Sequence, residues 1–288
     1  MQPLDLQLPD GNNLAGRSYD AVYFDIDSQH SVARVSQALE VPVISISRPS
    51  YGGSTSLATI ADGRSTGEQQ GQYLNTTILP AIWKKFGSLS GATSVVLLAP
   101  SIGPMVATVV DGCHIGTEGY PLAGLITSGI GVEHVVQSRQ QMIQLLRSQT
   151  DPILLDTKPK DVVMLHLPHK ALVDPAVCLH TERLNKPVPS AELHDINLIW
   201  LEHWRKYSTA IQIPLMYGLG EFGGLWSAFP RSPRVECGIV PIAPPCIEMS
   251  FQGTGWLYRC FGFACECAVS QGLLSESRDA VPSTLVGP

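Results

Sequence analysis

The stretch VVLLAPSIGPMVATVV, Val95 to Val110, changes character in its middle. A run of strand-forming residues breaks at Ala99-Pro100-Ser101-Ile102-Gly103 and continues in a helix-like pattern. A serine at such a break is a candidate nucleophile. Its hydroxyl is weak alone and needs a base, and the base needs an orienting acid.

The segments on either side set the architecture. Leu4 to Asp20 reads as a hairpin turning at Asp10-Gly11. AVYFDID (Ala21–Asp27) reads as a buried strand ending in carboxylates, followed by a short helix over about Ser31–Leu39. VPVISIS (Val41–Ser47) reads as a second core strand running into the loop Arg48-Pro49-Ser50-Tyr51-Gly52-Gly53-Ser54. Helical spacing predicts a helix over Gln69–Phe86, ending at Gly87. Ser94–Leu98, Leu122–Gly129 and Ile211–Gly218 read as strands, with a further one near VECGIVPI (235–242). Residues 131–210 read as a helical insertion, in which Leu193, Ile196, Trp200, Trp204 and Tyr207 form one face and Ser190 caps the start. The chain closes on an apolar helix around GWLYRCFGFACECAV (255–269). Strands alternating with helices predict an α/β class with a mostly parallel sheet covered on both faces, in one domain over 1–288.

Composition narrows the function. With 44% hydrophobic and 15% charged residues the chain can bury a large core. A net charge of -6 and the lack of any basic run argue against nucleic-acid binding. The start, MQPLDLQLPDG, is too polar for a signal peptide, and no apolar run reaches the roughly 18 residues of a membrane span. The seven scattered cysteines form neither a disulfide framework nor a zinc site, which places the expected protein in the cytoplasm with no metal and no cofactor.

The ordered set of segments resembles the α/β-hydrolase superfamily over nearly the whole chain. VISISRPSYGGST is similar to the strand and Arg-Pro-Gly-Tyr-Gly-type loop of that superfamily, and APSIGPMVA to its nucleophile elbow, small-x-Ser-x-Gly. The helical insertion resembles its lid. GLGEFGGLW and APPCIEMSFQGTGWLYRCFGFACECA resemble the C-terminal section of a fungal branch that includes hydrolases of secondary-metabolite clusters, among them the epoxide hydrolase and cyclase type of polyketide pathways. The resemblance implies an α/β-hydrolase fold with Ser101 at the elbow and an oxyanion held near the following helix.

The same resemblance exposes departures. The acid commonly falls in a Gly-Glu-x-Asp arrangement, where this chain has Gly220-Glu221-Phe222-Gly223. Glu221 is therefore a displaced candidate acid. The histidine belongs in Ala-Pro-His-Cys-Ile-Glu, where this chain has Ala243-Pro244-Pro245-Cys246-Ile247-Glu248. No histidine follows His203. The oxyanion His-Gly is replaced by Asp25-Ile26-Asp27. Alternate strand residues share a face, so Asp25 and Asp27 either form an acid/base pair or cap the next turn. His134, near the end of the Leu122–Gly129 strand, and His30 are candidates for a relocated base. His166 and His169 have a metal-like spacing, but their proline and the lack of a third ligand favour a structural role. Ser128, Trp200 and Trp204 are the candidate substrate-binding residues.

Three functions follow from these residues. The favoured one opens an epoxide of an apolar, polyketide-like metabolite with Asp25 or Asp27 as general acid and base. The second is a serine esterase or thioesterase with a relocated histidine and acid. The third is a binding protein on a degenerate scaffold. The expected partner is an apolar small molecule, with no nucleic acid and no membrane span, and a homodimer is allowed.

Overall fold

A computed structural model describes residues 4–16, 21–51, 53–58, 65–116, 119–131, 133–148, 150–166, 172–222, 225–227 and 235–279. Gly223 and His169 lie outside these. The N-terminal hairpin forms as expected: β1 (Leu4–Gln7) pairs antiparallel with β2 (Asn13–Gly16). Gly11 in its turn has φ +85°.

The central sheet is parallel, in the order β3 (Val95–Pro100), β4 (Leu122–Ser128), β6 (Leu215–Gly220), β8 (Val235–Val240). A small antiparallel pair, β5 (Glu133–His134) and β7 (Trp226–Ser227), stands apart from it. Every residue of β4 is buried, as a strand covered on both faces requires. On one face Ala123, Ile126 and Met216 pack against Trp256, Phe261 and Cys267 of the C-terminal helix Gly253–Asp279. Val32 and Val35 of the helix Val32–Leu39 join that core. On the other face Leu122 packs with Val106 and Val110 of the helix Gly103–Cys113, and with Leu74 and Ile78.

Between β4 and β6 the described residues are largely helical. Helices span Val136–Ser148, Thr157–Leu165, Ser190–His194 and Trp200–Ser208, with two short ones at Pro175–Cys178 and Thr181–Leu184. Leu193, Ile196, Trp200 and Tyr207 are buried on the expected face, and Trp204 is half-buried. Ser190 is not the cap. It is the first helical residue, and its N–H donates to Asp151 Oδ1 at 2.6 Å. No helix among the described residues is long and apolar enough to cross a membrane.

Three local expectations are corrected. Ala21–Phe24 forms a 3-10 helix instead of a strand. Asp25 bridges back to Ser31, and Asp27 Oδ1 accepts the N–H groups of Gln29 and His30 at 2.7 and 2.8 Å. These short-range bonds close a turn where the alternation predicted extension. Val41–Ser47 lies outside the named strands, although Val41 and Val43 pack against the same core as Val96 and Leu98. The helix expected to stop at Gly87 runs on through Ser88–Ser90, with single π turns at Leu74–Ile78 and Trp83–Gly87. Gly91, at φ +67°, ends it.

Candidate active site

Ser101 sits between the end of β3 and the helix Gly103–Cys113, with φ +57°. A non-glycine residue rarely adopts that left-handed conformation, and its persistence marks a backbone held by its surroundings. Two contacts hold it. The Ser101 N–H donates to Ser128 O at 2.9 Å, which ties the turn to the end of β4. Gly129 then passes so close that a Cβ there would stand 2.9 Å from Pro245 O and 3.5 Å from Ser101 N. Any side chain at Gly129, itself at φ +74°, would push the two loops apart.

The turn leaves the Ser101 side chain exposed, and its Oγ has no hydrogen-bond partner among the described residues. Pro104 in the first turn of the following helix has no N–H, so the free donors beside the serine are those of Ile102 and Gly103.

Ser101 opens into a cleft of about 980 Å³ with a mainly apolar wall. Helices from the stretch between β4 and β6 supply Met142, Met164 and Leu193 to it. Polar groups on the wall include Tyr23, His134, Arg139, Lys160, Asp161 and Cys246. Among the described carboxylates only Glu40 and Asp161 line it.

The structure separates most of the residues singled out from the sequence. Asp25 accepts from Ser31 Oγ at 2.6 Å, and Asp27 lies 3.0 Å from His30 Nδ1; neither lines the cleft. Burial pushes the Asp27 carboxyl up, but the N–H groups of His30 and Gln29 and the His30 ring outweigh it, and the net shift is down. Such a carboxylate stays ionised and suits a cap better than a general acid. His30 and His180 (3.8 Å from Asp27 Oδ2) belong to the same outer group. Glu221 is exposed and accepts the Ile242 N–H at 2.7 Å, which clamps the end of β6 to the turn after β8. Trp200 stacks on Tyr207 at 6.4 Å, and Trp204 lies under the Arg205 guanidinium; neither reaches the cleft.

His134 does line it. Its ring stacks on Trp226 at 3.8 Å, and its Nε2 lies 3.3 Å from Ile196 O. Burial lowers its pKa from the ordinary value, with the Ile196 carbonyl opposing. The imidazole is thus neutral but held by the helical stretch, not by Ser101. His166 Nε2 bonds to Phe222 O, which fits the structural role expected of it. No cluster of three metal-ligating side chains occurs among the described residues.

Two features escaped sequence reasoning. Glu248 is buried and accepts from Ser128 Oγ at 2.6 Å, Trp256 Nε1 at 3.0 Å and Tyr23 OH at 2.8 Å. One carboxylate therefore joins the Ala21–Phe24 turn, β4, the loop after β8 and the C-terminal helix directly behind the elbow. Burial and the Glu248 charge push the Tyr23 phenol well above its ordinary pKa. The second feature is Lys160, on the helix Thr157–Leu165. Its Nζ lies 3.4 Å from Thr181 O and 3.7 Å from Asp161 Oδ1. Burial lowers the Lys160 pKa, with Asp161 opposing. A lone lysine in a short helix gave no sequence signal.

No family model matches the chain, and no curated protein does. Solved structures do. An esterase from Thermogutta terrifontis, solved with malate bound, is 14% identical over 93% of this chain and 100% of its own, with a TM-score of 0.55. E-2-(Acetamidomethylene)succinate hydrolase is 10% identical over 91% of this chain and 99% of its own, at 0.57. A variant of a Pseudomonas aeruginosa protein with the provisional name epoxide hydrolase is 12% identical over 94% and 97%, also at 0.57. Likeness at these identities speaks to architecture alone, and with the parallel sheet flanked by helices it gives the chain the α/β-hydrolase fold.

Proposed function

We propose that the protein is a serine hydrolase of small, uncharged, apolar carboxylic esters, with Ser101 as nucleophile. The observation that carries this is the left-handed, exposed Ser101 between strand and helix, opening into an apolar cleft of about 980 Å³. That volume is in the upper part of the range for small-molecule pockets. Ser101 Oγ attacks the acyl carbon, and the N–H groups of Ile102 and Gly103 face the developing oxyanion. The likeness of the C-terminal motifs to hydrolases of fungal secondary metabolism supports a polyketide-like substrate. Epoxide opening, favoured by the sequence, would have to use Asp161 or Glu40, because Asp25 and Asp27 lie outside the cleft wall.

The test is a fluorophosphonate probe followed by peptide mass spectrometry, with a panel of aryl and alkyl esters and epoxides. Labelling at Ser101 and loss of ester turnover in Ser101→Ala support the reading. Absence of labelling, with epoxide turnover retained in Ser101→Ala and lost in Asp161→Asn, would overturn it.

A further inference from the structure

The loop after β8 packs against the elbow, and at Pro245 it offers no group that can accept a proton. The helix Thr157–Leu165 covers the same loop. The Cys246 N–H donates to Met164 O at 3.5 Å, and Lys160, Asp161 and Met164 all line the cleft with Ser101. Lys160 and Met164 stand four residues apart, so they share one helix face.

Among the other basic groups of the wall, Arg48, Arg139 and His134 are engaged elsewhere or have the wrong chemistry, and Lys186 has an interaction of its own. Arg48 is paired with Glu192 at 2.7 Å, and Arg139 Nε donates to Asn197 O at 2.9 Å. Neither guanidinium loses its proton in a protein. His134 is held by Ile196 O and Trp226. Of the two lysines on the wall, Lys160 and Lys186, Lys160 stands on the helix whose Met164 carbonyl accepts the Cys246 N–H.

We propose that Lys160 is the proton acceptor for Ser101, filling from the helical stretch the role that Pro245 leaves empty. This rests on the serine-hydrolase reading above. Serine paired with lysine is a workable variant of the serine–base logic. The flexible four-carbon stem lets Nζ leave its 3.4 Å contact with Thr181 O and turn into the cleft.

The surroundings bear on its charge. Asp161 on its own helix favours the ammonium. Cys246, across the interface, is a neutral thiol, because burial and the Glu248 charge push it up to about 12. Thr181 presents only a carbonyl, and the Arg183 guanidinium of the same short helix is turned onto Ile26 O at 2.6 Å. Cys178 of the preceding helix faces Asp161 as a thiol raised by burial. Tyr23, beyond Cys246, is bound to Glu248. Desolvation therefore outweighs the nearby negative charge.

The chemistry balances. In its deprotonated form the Lys160 amine takes the Ser101 hydroxyl proton as Oγ bonds to the acyl carbon. The ester C–O bond then breaks, and the ammonium returns the proton to the departing alkoxide. In the second half the amine takes a proton from water, hydroxide adds to the acyl-enzyme, and Oγ leaves with that proton.

The experiment compares Lys160→Arg, Lys160→Met and Lys160→Ala with wild type in ester hydrolysis, with folding checked by circular dichroism. All three lower kcat by about 10²–10⁴-fold, the usual contribution of a general base. KM stays near the wild-type value. The acidic limb of the kcat/KM profile, which rises as Lys160 loses its proton, disappears. Added methylamine restores turnover to Lys160→Ala. Should one substitution disturb the fold, Lys160→Arg preserves length and charge and still tests the base. A folded variant with wild-type kcat and an unchanged acidic limb overturns the proposal while leaving the serine reading intact. A wild-type protein that the fluorophosphonate fails to label overturns both.

Discussion

Ser128 connects two parts of the site: its carbonyl accepts the Ser101 N–H at 2.9 Å, while its buried hydroxyl donates to Glu248 at 2.6 Å. The strained turn and the buried carboxylate are thus one residue apart in a chain of bonds. Rigid support of this kind is what a reactive group held in an unfavourable backbone conformation requires.

Glu248→Ala removes the acceptor from three buried or half-buried donors, Ser128 Oγ, Trp256 Nε1 and Tyr23 OH. Each donor left without a partner costs about 1–3 kcal/mol. The expected loss is about 3–5 kcal/mol in urea unfolding. Glu248→Gln keeps one acceptor oxygen and loses less. Equal stability for Glu248→Ala and wild type would show that the clamp carries no energy.

The left-handed Ser101 gives a second prediction. An L-residue in that region is strained by about 1 kcal/mol, which glycine does not experience. Ser101→Gly is therefore about 1 kcal/mol more stable than Ser101→Ala, and both are inactive toward esters. Thermal melts of the two variants side by side read the difference.

A third concerns pH. Asp111, on the helix behind the elbow, is 5% exposed, and its Oδ2 has no hydrogen-bond partner. Burial raises its pKa from 3.8 to about 7. The folded state then holds a proton that the unfolded chain has released, so stability is greatest below about pH 4 and falls as pH rises to about 7. Asp111→Asn abolishes that fall and is more stable than wild type at pH 8. Denaturation curves at pH 4, 6 and 8 measure it. Parallel pH dependence in both proteins would assign the effect to other groups.

Arg48 and Glu192 join the loop after Val41–Ser47 to the helix Ser190–His194 through a 2.7 Å ion pair, with Glu192 fully buried and also bound by Gln70 Nε2 at 2.8 Å. Arg48→Ala leaves the glutamate charge without its ionic partner and costs about 3–5 kcal/mol. Arg48→Met combined with Glu192→Leu recovers most of that loss, because the apolar pair needs no desolvation. A double-mutant cycle with purely additive effects would rule out the coupling.

How much of this was legible depends on the range of the interaction involved. The hairpin turning at Asp10-Gly11, the short helix beginning near Ser31 and the break at Ser101 all appear in the sequence. Each is set by residues within a few positions of one another. Asp25 and Asp27 had two readings, an acid/base pair on one strand face or a cap of the next turn. Strand alternation placed them on one face, but bonds to Ser31, Gln29 and His30 closed a turn instead.

The sequence by itself determined the four strands of the parallel sheet, the serine at the turn, and the absence of a histidine from the loop that follows β8. Hydrophobic period and residue identity suffice for those. Only the tertiary structure decided which side chains surround Ser101. Glu248 meets Tyr23 across 225 residues, and Lys160 comes to the cleft on a helix with no motif of its own. Such meetings are set by how distant faces pack, and no local pattern carries that information.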